Sequence, residues 1–235
     1  MINAKMQRQA SVWLLALCGG YLSVAYFAAP EFWSYRVAHD DIRPGVFLTT
    51  TTQGIPGDPI NIGMVGTEEE LTRAMQAAGW SRADALSLKA DIEIGESVVF
   101  DRPDPDAPVS TLLLDGRPQD FAFERDVGKS ADARHHVRFW LTLDLADDGR
   151  PTWFGAATFD RGVGVSHDTG QITHHIAPDI DADRNLIIAD LKAAGMVASV
   201  RDIDGIGATK HGRNGGGDPY FTDGKIALAV LSPAK

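Results

Sequence analysis

The stretch that decides the fold is Arg134-His135-His136-Val137-Arg138-Phe139-Trp140. Its aromatic and β-branched side chains are typical of a β-strand. Because successive side chains of a strand point to opposite faces, His135 shares a face with Val137, and His136 shares the other face with Arg138. The stretch therefore predicts one histidine on the core face of a sheet and its neighbour on the opposite face.

A second histidine doublet lies in Thr173-His174-His175-Ile176 and divides between two faces in the same way. Four of the seven histidines fall in the two doublets. Imidazole is the usual proton carrier at neutral pH and a common metal ligand. The doublets are therefore the first candidates for a functional site.

Further strand-like segments and two amphipathic helices surround these stretches. Thr67 and Glu70 have the spacing of a helix-capping box, and Asp181 or Asp183 is placed to cap a second helix. Gly79 and Gly195 are placed to end the two helices. The pattern predicts an α+β fold: one mixed, mostly antiparallel sheet with two helices, preceded by an N-terminal transmembrane helix. The predicted strands are 60–65, 92–100, 110–114, 121–125, 136–143, 152–159, 171–176, 197–203 and 226–231.

The N-terminal segment predicts a membrane anchor. Residues 10–29 carry no charge, and twenty helical residues span about 30 Å, the thickness of a bilayer core. A cleaved signal peptide is the alternative, but cleavage after Ala28 would place the bulky Tyr26 where a small residue is needed. Lys5 and Arg8 precede the span, so the positive-inside rule places the N-terminus in the cytoplasm and the rest of the chain outside.

Composition excludes several classes of function. The formal charge of −10 argues against nucleic-acid binding, which needs a basic surface. Cys18 is the only cysteine and lies in the predicted span, so the domain has neither a disulfide nor a cysteine zinc site.

The chain resembles the LssY C-terminal domain family in six ordered segments. They are 54–61, 116–120, 134–140, 160–164, 173–176 and the glycine-rich loop 212–224. The resemblance implies an envelope setting near lipid or lipid-phosphate metabolism, because the family's domain is often fused to lipid-phosphatase-like membrane domains. It also implies a partner of that kind, an integral membrane lipid-phosphatase-like protein. The expected organisation is a cytoplasmic N-terminus (1–9), a transmembrane anchor (10–30), a stalk or extended entry (31–58) and an LssY-like C-terminal domain (59–235).

Five residues are candidates for catalysis. Two histidines from separate strands suit Zn²⁺ binding together with a carboxylate such as Asp160 or Asp223, and they equally suit a general acid–base pair. A third interpretation is that the histidines are hydrogen-bonded residues of the sheet. The catalytic candidates are His135, His136, His174, His175 and Asp160.

The glycine-rich loop supplies candidates for ligand binding. Its three consecutive glycines permit close approach of the backbone to an oxyanion, and Arg213 suits a phosphate or carboxylate. The alternative is a tight structural turn before the last strand. Together with the strand-end residue Arg161, the ligand-binding candidates are Arg213, Asn214, Gly215, Gly216 and Asp223.

Two functions follow as expectations. The first is a single-pass inner-membrane protein whose domain, in the periplasm or outside the cell, acts as an accessory or ligand-binding domain of the envelope. The alternative is a metal- or histidine-dependent hydrolase acting on an envelope phosphate ester or lipid. Convergence of the histidines with Asp160 and Asp223 in one pocket would favour the enzyme.

Overall fold

The computed structural model describes residues 4–39, 47–83, 111–127, 133–205 and 210–233. The predicted strand at 92–100 lies outside these residues. The described strands are β1 (Leu48–Thr51), β2 (Pro56–Pro59), β3 (Ile62–Val65), β4 (Ser81–Arg82), β5 (Leu112–Leu114), β6 (Arg117–Pro118), β7 (Phe121–Asp126), β8 (Arg134–Leu145), β9 (Pro151–Val165), β10 (Ile172–Ile176), β11 (Val197–Asp204), β12 (His211–Arg213), β13 (Pro219–Phe221) and β14 (Lys225–Leu231). The helices are α1 (Ala4–Ser23), α2 (Ala29–His39), α3 (Glu68–Ala77) and α4 (Ile180–Ala193), with a π-helical segment, Val24–Ala28, between α1 and α2.

The central sheet confirms the predicted α+β class. Its strands follow the order β11-β14-β3-β9-β8-β7-β4, and β10 pairs with the end of β9. The pair β14–β3 is parallel, and the other pairs of this sheet are antiparallel. The histidine stretch lies in β8, between β7 and β9, so both edges of the strand are paired within the sheet.

Helices α3 and α4 pack on one face of this sheet and form the main core with it. Leu71 and Met75 of α3 and Ile187 of α4 contact the β8 face that carries Val137 and Phe139. The capping box of Thr67 and Glu70 begins α3, as predicted. The predicted cap of α4 is wrong: Asp179 caps the helix, its side chain accepting from the N–H of Ala182. Asp181 and Asp183 lie in the first turn instead, where carboxylates stabilise the helix dipole.

A small sheet covers the other face. It has the order β2-β1-β5-β6, and its Leu112 packs with Trp140 and Ala156 of the central sheet. The structure differs here from the expectation of a stalk or extended entry at 31–58. Strands β1 and β2 lie in that range, and Thr49 is fully buried. The run of threonines that resembles a linker in composition also has high β-propensity.

The N-terminal helical segment is long and apolar enough to cross a membrane. The candidate span runs over 29 residues, from Lys5 to Trp33, and contains an 18-residue window with a mean hydropathy of 1.7, of which 6% is buried. The second half of this segment touches the domain. The hydroxyl of Tyr21 donates to the carbonyl of Gly170 (2.6 Å), and the indole N–H of Trp33 donates to the carbonyl of Asp168 (2.7 Å).

Candidate functional site

A polar cavity of about 480 Å³ lies between the central sheet, the small sheet and the glycine-rich loop. Exposed Thr52, Gln53 and Ile172 are at its border, and its deepest side chains come from β8 and β9. Such a concave site with converging polar groups is the usual form of a ligand-binding site. The lining residues are Thr51, Thr52, Gln53, Asp58, Thr111, Leu112, Arg134, His136, Arg138, Asp160, Ser166, Thr169, Gln171, Ile172, Thr173, His174, Ile176, Asn214, Gly215 and Gly216.

The inner wall of the cavity is the face of β8 opposite the main core. Arg134, His136 and Arg138 alternate along the strand, so all three point the same way, and all are buried. Asp160 joins them because β9 pairs it with Arg134. The alternation in the sequence therefore places a row of buried polar and charged side chains along the inner wall of the cavity.

Ion pairs hold this row in place. Arg138 Nη1 lies 3.3 Å from Asp58 Oδ2. Arg134 lies 2.9 Å from Glu124 through Nη1 and 3.5 Å from Asp160 through Nε. Buried charges need such partners, because an uncompensated charge away from water is costly.

Burial sets the protonation of the wall. Burial raises the pKa of Asp160 to about 6, against the opposing effect of Arg134 and Arg138. The pKa of Asp58 is raised for the same reason. The pKa of His136 is well below its usual value, first because of burial and then because of the two neighbouring arginines. At neutral pH His136 is therefore a neutral imidazole, and Asp160 exchanges its proton close to physiological pH.

One ring nitrogen of His136 has its hydrogen bonds inside the wall and the other does not. Nε2 lies 3.0 Å from Thr158 Oγ1 and 3.3 Å from Asp160 Oδ1. Nδ1 is buried and has no hydrogen-bond partner among the described residues. Since buried polar atoms are normally hydrogen-bonded, Nδ1 is suited to a bound ligand.

The glycine-rich loop forms the opposite wall. Asn214 Oδ1 accepts the backbone N–H groups of Gly216 (3.0 Å) and Asp218 (2.9 Å), which folds the loop back on itself. A side chain at Gly215 would come within 2.5 Å of the Thr51 side chain. Glycine there lets the loop close against β1, beside His174 of β10.

The structure brings together six of the predicted site residues and separates the rest. His136, Asp160, His174, Asn214 and Gly215 line the cavity, as does Gly216 next to them. The other five have partners elsewhere: His135 with Asp183, His175 with Asp218, Arg161 with the carbonyl of Ile176, Arg213 with the carbonyl of Gly217, and Asp223 with Arg184. Convergence of the histidines with both carboxylates is thus partial.

Sequence reasoning gave no role to Arg134, Arg138 or Asp58. The two arginines flank His136 at a spacing of two, so strand alternation already placed them on its face. Nothing in the sequence shows that Asp58, 80 residues before Arg138, is the partner of that arginine.

The N-terminal helical segment meets the cavity at its rim. Ser166, Thr169 and Gln171 line the cavity and belong to the turn between β9 and β10. The same turn contains Asp168 and Gly170, which accept hydrogen bonds from Trp33 and Tyr21.

Comparison with known proteins identifies a family but no individual relative. No curated protein and no solved structure matches the chain. A model of the LssY C-terminus matches residues 40–226, which cover the cavity walls on both sheets and all of the glycine-rich loop. The chain belongs to the LssY C-terminal domain family.

Proposed function

We propose that the protein is a membrane-anchored envelope domain that binds a polar ligand with an acidic group in the cavity between the two sheets. The observation that carries this proposal is the inner wall: two buried arginines flank a neutral histidine whose Nδ1 faces no protein partner among the described residues. Arginine is suited to phosphate and carboxylate groups because of its planar fork of donors.

The protonation of Asp160 supports an acidic ligand. Asp160 competes with an incoming anion for Arg134 and Arg138, and its raised pKa lets it take up a proton instead. A bound anion would raise that pKa further, since a nearby negative charge disfavours the ionised carboxyl. Binding of an anion and protonation of Asp160 therefore reinforce each other.

The position of the anchor supports a ligand at the membrane surface. The turn that carries Ser166 and Thr169 touches the second half of the candidate membrane span, including its last residue, Trp33. Lys5 and Arg8 before the span favour an N-terminus in the cytoplasm, which would place the cavity on the outer face of the inner membrane. An integral membrane protein acting on lipid phosphates is the kind of partner that would supply such a ligand.

Binding of simple oxyanions tests the proposal. The full-length protein in detergent micelles is titrated with inorganic phosphate, and with sulfate, whose charge is constant over the pH range. Affinity for sulfate should increase as the pH falls through about 6, because protonated Asp160 releases the arginines. Arg138→Lys should weaken binding by about tenfold or more through loss of the fork geometry. Arg213→Gln is the matched control, because Arg213 lies outside the cavity and bonds to Gly217.

Two results would contradict the proposal. One is binding of equal strength in wild type and Arg138→Lys. The other is no binding of either anion by the folded wild-type protein at any pH tested.

Fractionation tests the cellular setting. The full-length protein should sediment with membranes, and its domain should be digestible by protease added to the outer side of the inner membrane. Release of a shortened soluble form would show that the apolar segment is a cleaved signal peptide.

Hydrolysis of a phosphate ester is the second candidate function, favoured by the contact of His136 Nε2 with Asp160 Oδ1 at 3.3 Å. A carboxyl with a pKa of about 6 can donate and accept a proton near neutral pH, as general acid–base catalysis needs. If the protein is a hydrolase, it releases phosphate from a chromogenic phosphate monoester, and Asp160→Asn abolishes release while anion binding persists. Binding without turnover in wild type would leave the accessory function.

A further inference from the structure

A second cluster of ligand-type side chains lies outside the cavity, around the buried carboxylate of Asp218. Asp218 is 1% exposed, and its Oδ1 lies 2.8 Å from His175 Nδ1 and 3.6 Å from His167 Nε2. One donor atom from each residue lies within 4.8 Å of the others. The three residues come from three places in the chain: the turn between β9 and β10, strand β10 and the glycine-rich loop.

Contacts with the backbone position the three residues. Asp218 Oδ2 accepts the N–H of Ile176 (3.1 Å), which directs Oδ1 toward the histidines. His167 N–H donates to the carbonyl of Gly216 (3.0 Å), which ties its turn to the loop. A side chain at Gly164 would come within 2.3 Å of His175 Nε2, so glycine there makes room for the ring.

We propose that His167, His175 and Asp218 form a binding site for a divalent transition metal, with Zn²⁺ as the ion that fits best. Two imidazoles and one carboxylate are a common three-ligand set for Zn²⁺. Ligand atoms of a tetrahedral Zn²⁺ site lie about 3.3 Å apart, given metal–ligand distances of about 2.0–2.1 Å. The observed separations of 2.8 and 3.6 Å lie on either side of that value.

The fourth position of such a site would face an open groove. Arg161, Gly162 and Val163 line this groove beside the two histidines. The site differs from the one expected from the sequence, where Asp160 or Asp223 was the candidate carboxylate. Asp160 lies in the cavity wall, and Asp223 pairs with Arg184.

A metal ion here would join two segments that border the cavity. The β9–β10 turn contributes Ser166 and Thr169 to the cavity, and the glycine-rich loop contributes Gly215 and Gly216. His167 and Asp218 belong to these same two segments. The ion would therefore stabilise the rim of the cavity without occupying it.

Titration with Zn²⁺ alone tests the site. The full-length protein, without a histidine tag and stripped of metal by a chelator, is titrated calorimetrically in micelles, and its melting temperature is followed with and without Zn²⁺. Wild type should bind one equivalent and melt at a higher temperature with the ion, because a ligand that binds only the native state stabilises it. His175→Ala and His167→Gln should each weaken binding by about tenfold or more.

The controls keep the proposal falsifiable. His211→Ala removes an exposed histidine of β12, close to the loop in sequence, and should leave Zn²⁺ affinity unchanged. His167 is 57% exposed, so His167→Gln should fold normally even if variants of the buried Asp218 do not. Absence of Zn²⁺ binding by wild type, or equal binding by wild type and His167→Gln, would overturn the site. Neither result affects anion binding to the cavity, which uses Arg138 and His136.

Discussion

The two histidine doublets are identical in sequence, yet in each doublet the two side chains lie in different environments. In β8, His136 lines the cavity, whereas His135 lies on the helix side and contacts Asp183 Oδ1 at 2.6 Å. In β10, His174 lines the same cavity, whereas His175 contacts Asp218. One histidine of each doublet thus lines the common cavity, and the other has a carboxylate partner outside it.

Strand alternation determines the face of the sheet on which a residue lies. The elements packed against that face then determine its contacts and its role. His135 packs against the rings of Phe159 and Trp80, and helix α4 supplies its partner Asp183. These contacts favour a structural role for His135. His136 has arginines on either side and a ring nitrogen with no partner among the described residues, which suits a ligand.

The largest expected effect comes from the cavity face of β8. Arg138→Leu should lower the free energy of unfolding by about 3–5 kcal/mol, because Asp58 would be left buried without its partner. Denaturant unfolding of the full chain in micelles measures the loss. Adding Asp58→Asn should restore part of it. Equal stability of wild type and Arg138→Leu would mean that this face is not a buried charge network.

The next effect depends on pH and belongs to Asp160. Its pKa is raised in the fold, so the folded state holds the proton more tightly, and the associated stability is lost as the pH rises from about 4 through about 6. The loss should be on the order of 3 kcal/mol, since one pKa unit is about 1.4 kcal/mol. The difference in unfolding free energy between wild type and Asp160→Asn, measured across this range, isolates the contribution. A difference independent of pH would refute the raised pKa.

A smaller effect is the difference in stability between variants of His135 and His174. His135→Ala should cost about 1–3 kcal/mol, because it leaves the buried Asp183 carboxylate unpaired and removes packing from Phe159. His174→Ala should cost less than about 1 kcal/mol, because His174 is a half-buried side chain at a cavity wall. Thermal unfolding of both variants tests this. A larger cost for His174→Ala would reverse the assignment of roles.

Local signals in the sequence predicted most of the fold. Strand-like segments located most of the central strands, and the box of Thr67 and Glu70 located α3. Asp179 was missed as the cap of α4 because several aspartates nearby have the same capping chemistry. Strands β1 and β2 were missed because their threonines, proline and glycine also suit a linker.

The candidate site was harder to predict, because it depends on pairs of residues far apart in the chain. Strand parity separated His135 from His136 correctly, but the partners Asp183 and Asp218 lie more than 40 residues from their histidines. Asp218 was not among the residues predicted for the site. Sheet pairing and the fold of the loop bring these groups together, and neither can be derived from spacing alone.

The anion affinities of variants at two adjacent residues test whether His136, and not His135, belongs to the binding site. His136→Gln and His135→Gln are titrated with inorganic phosphate in the full-length protein, below about pH 6, where Asp160 is mostly protonated. We predict that His136→Gln weakens phosphate binding by about tenfold, equivalent to about 1.4 kcal/mol, while His135→Gln binds phosphate as wild type does. Loss of affinity in His135→Gln, with His136→Gln unaffected, would contradict it.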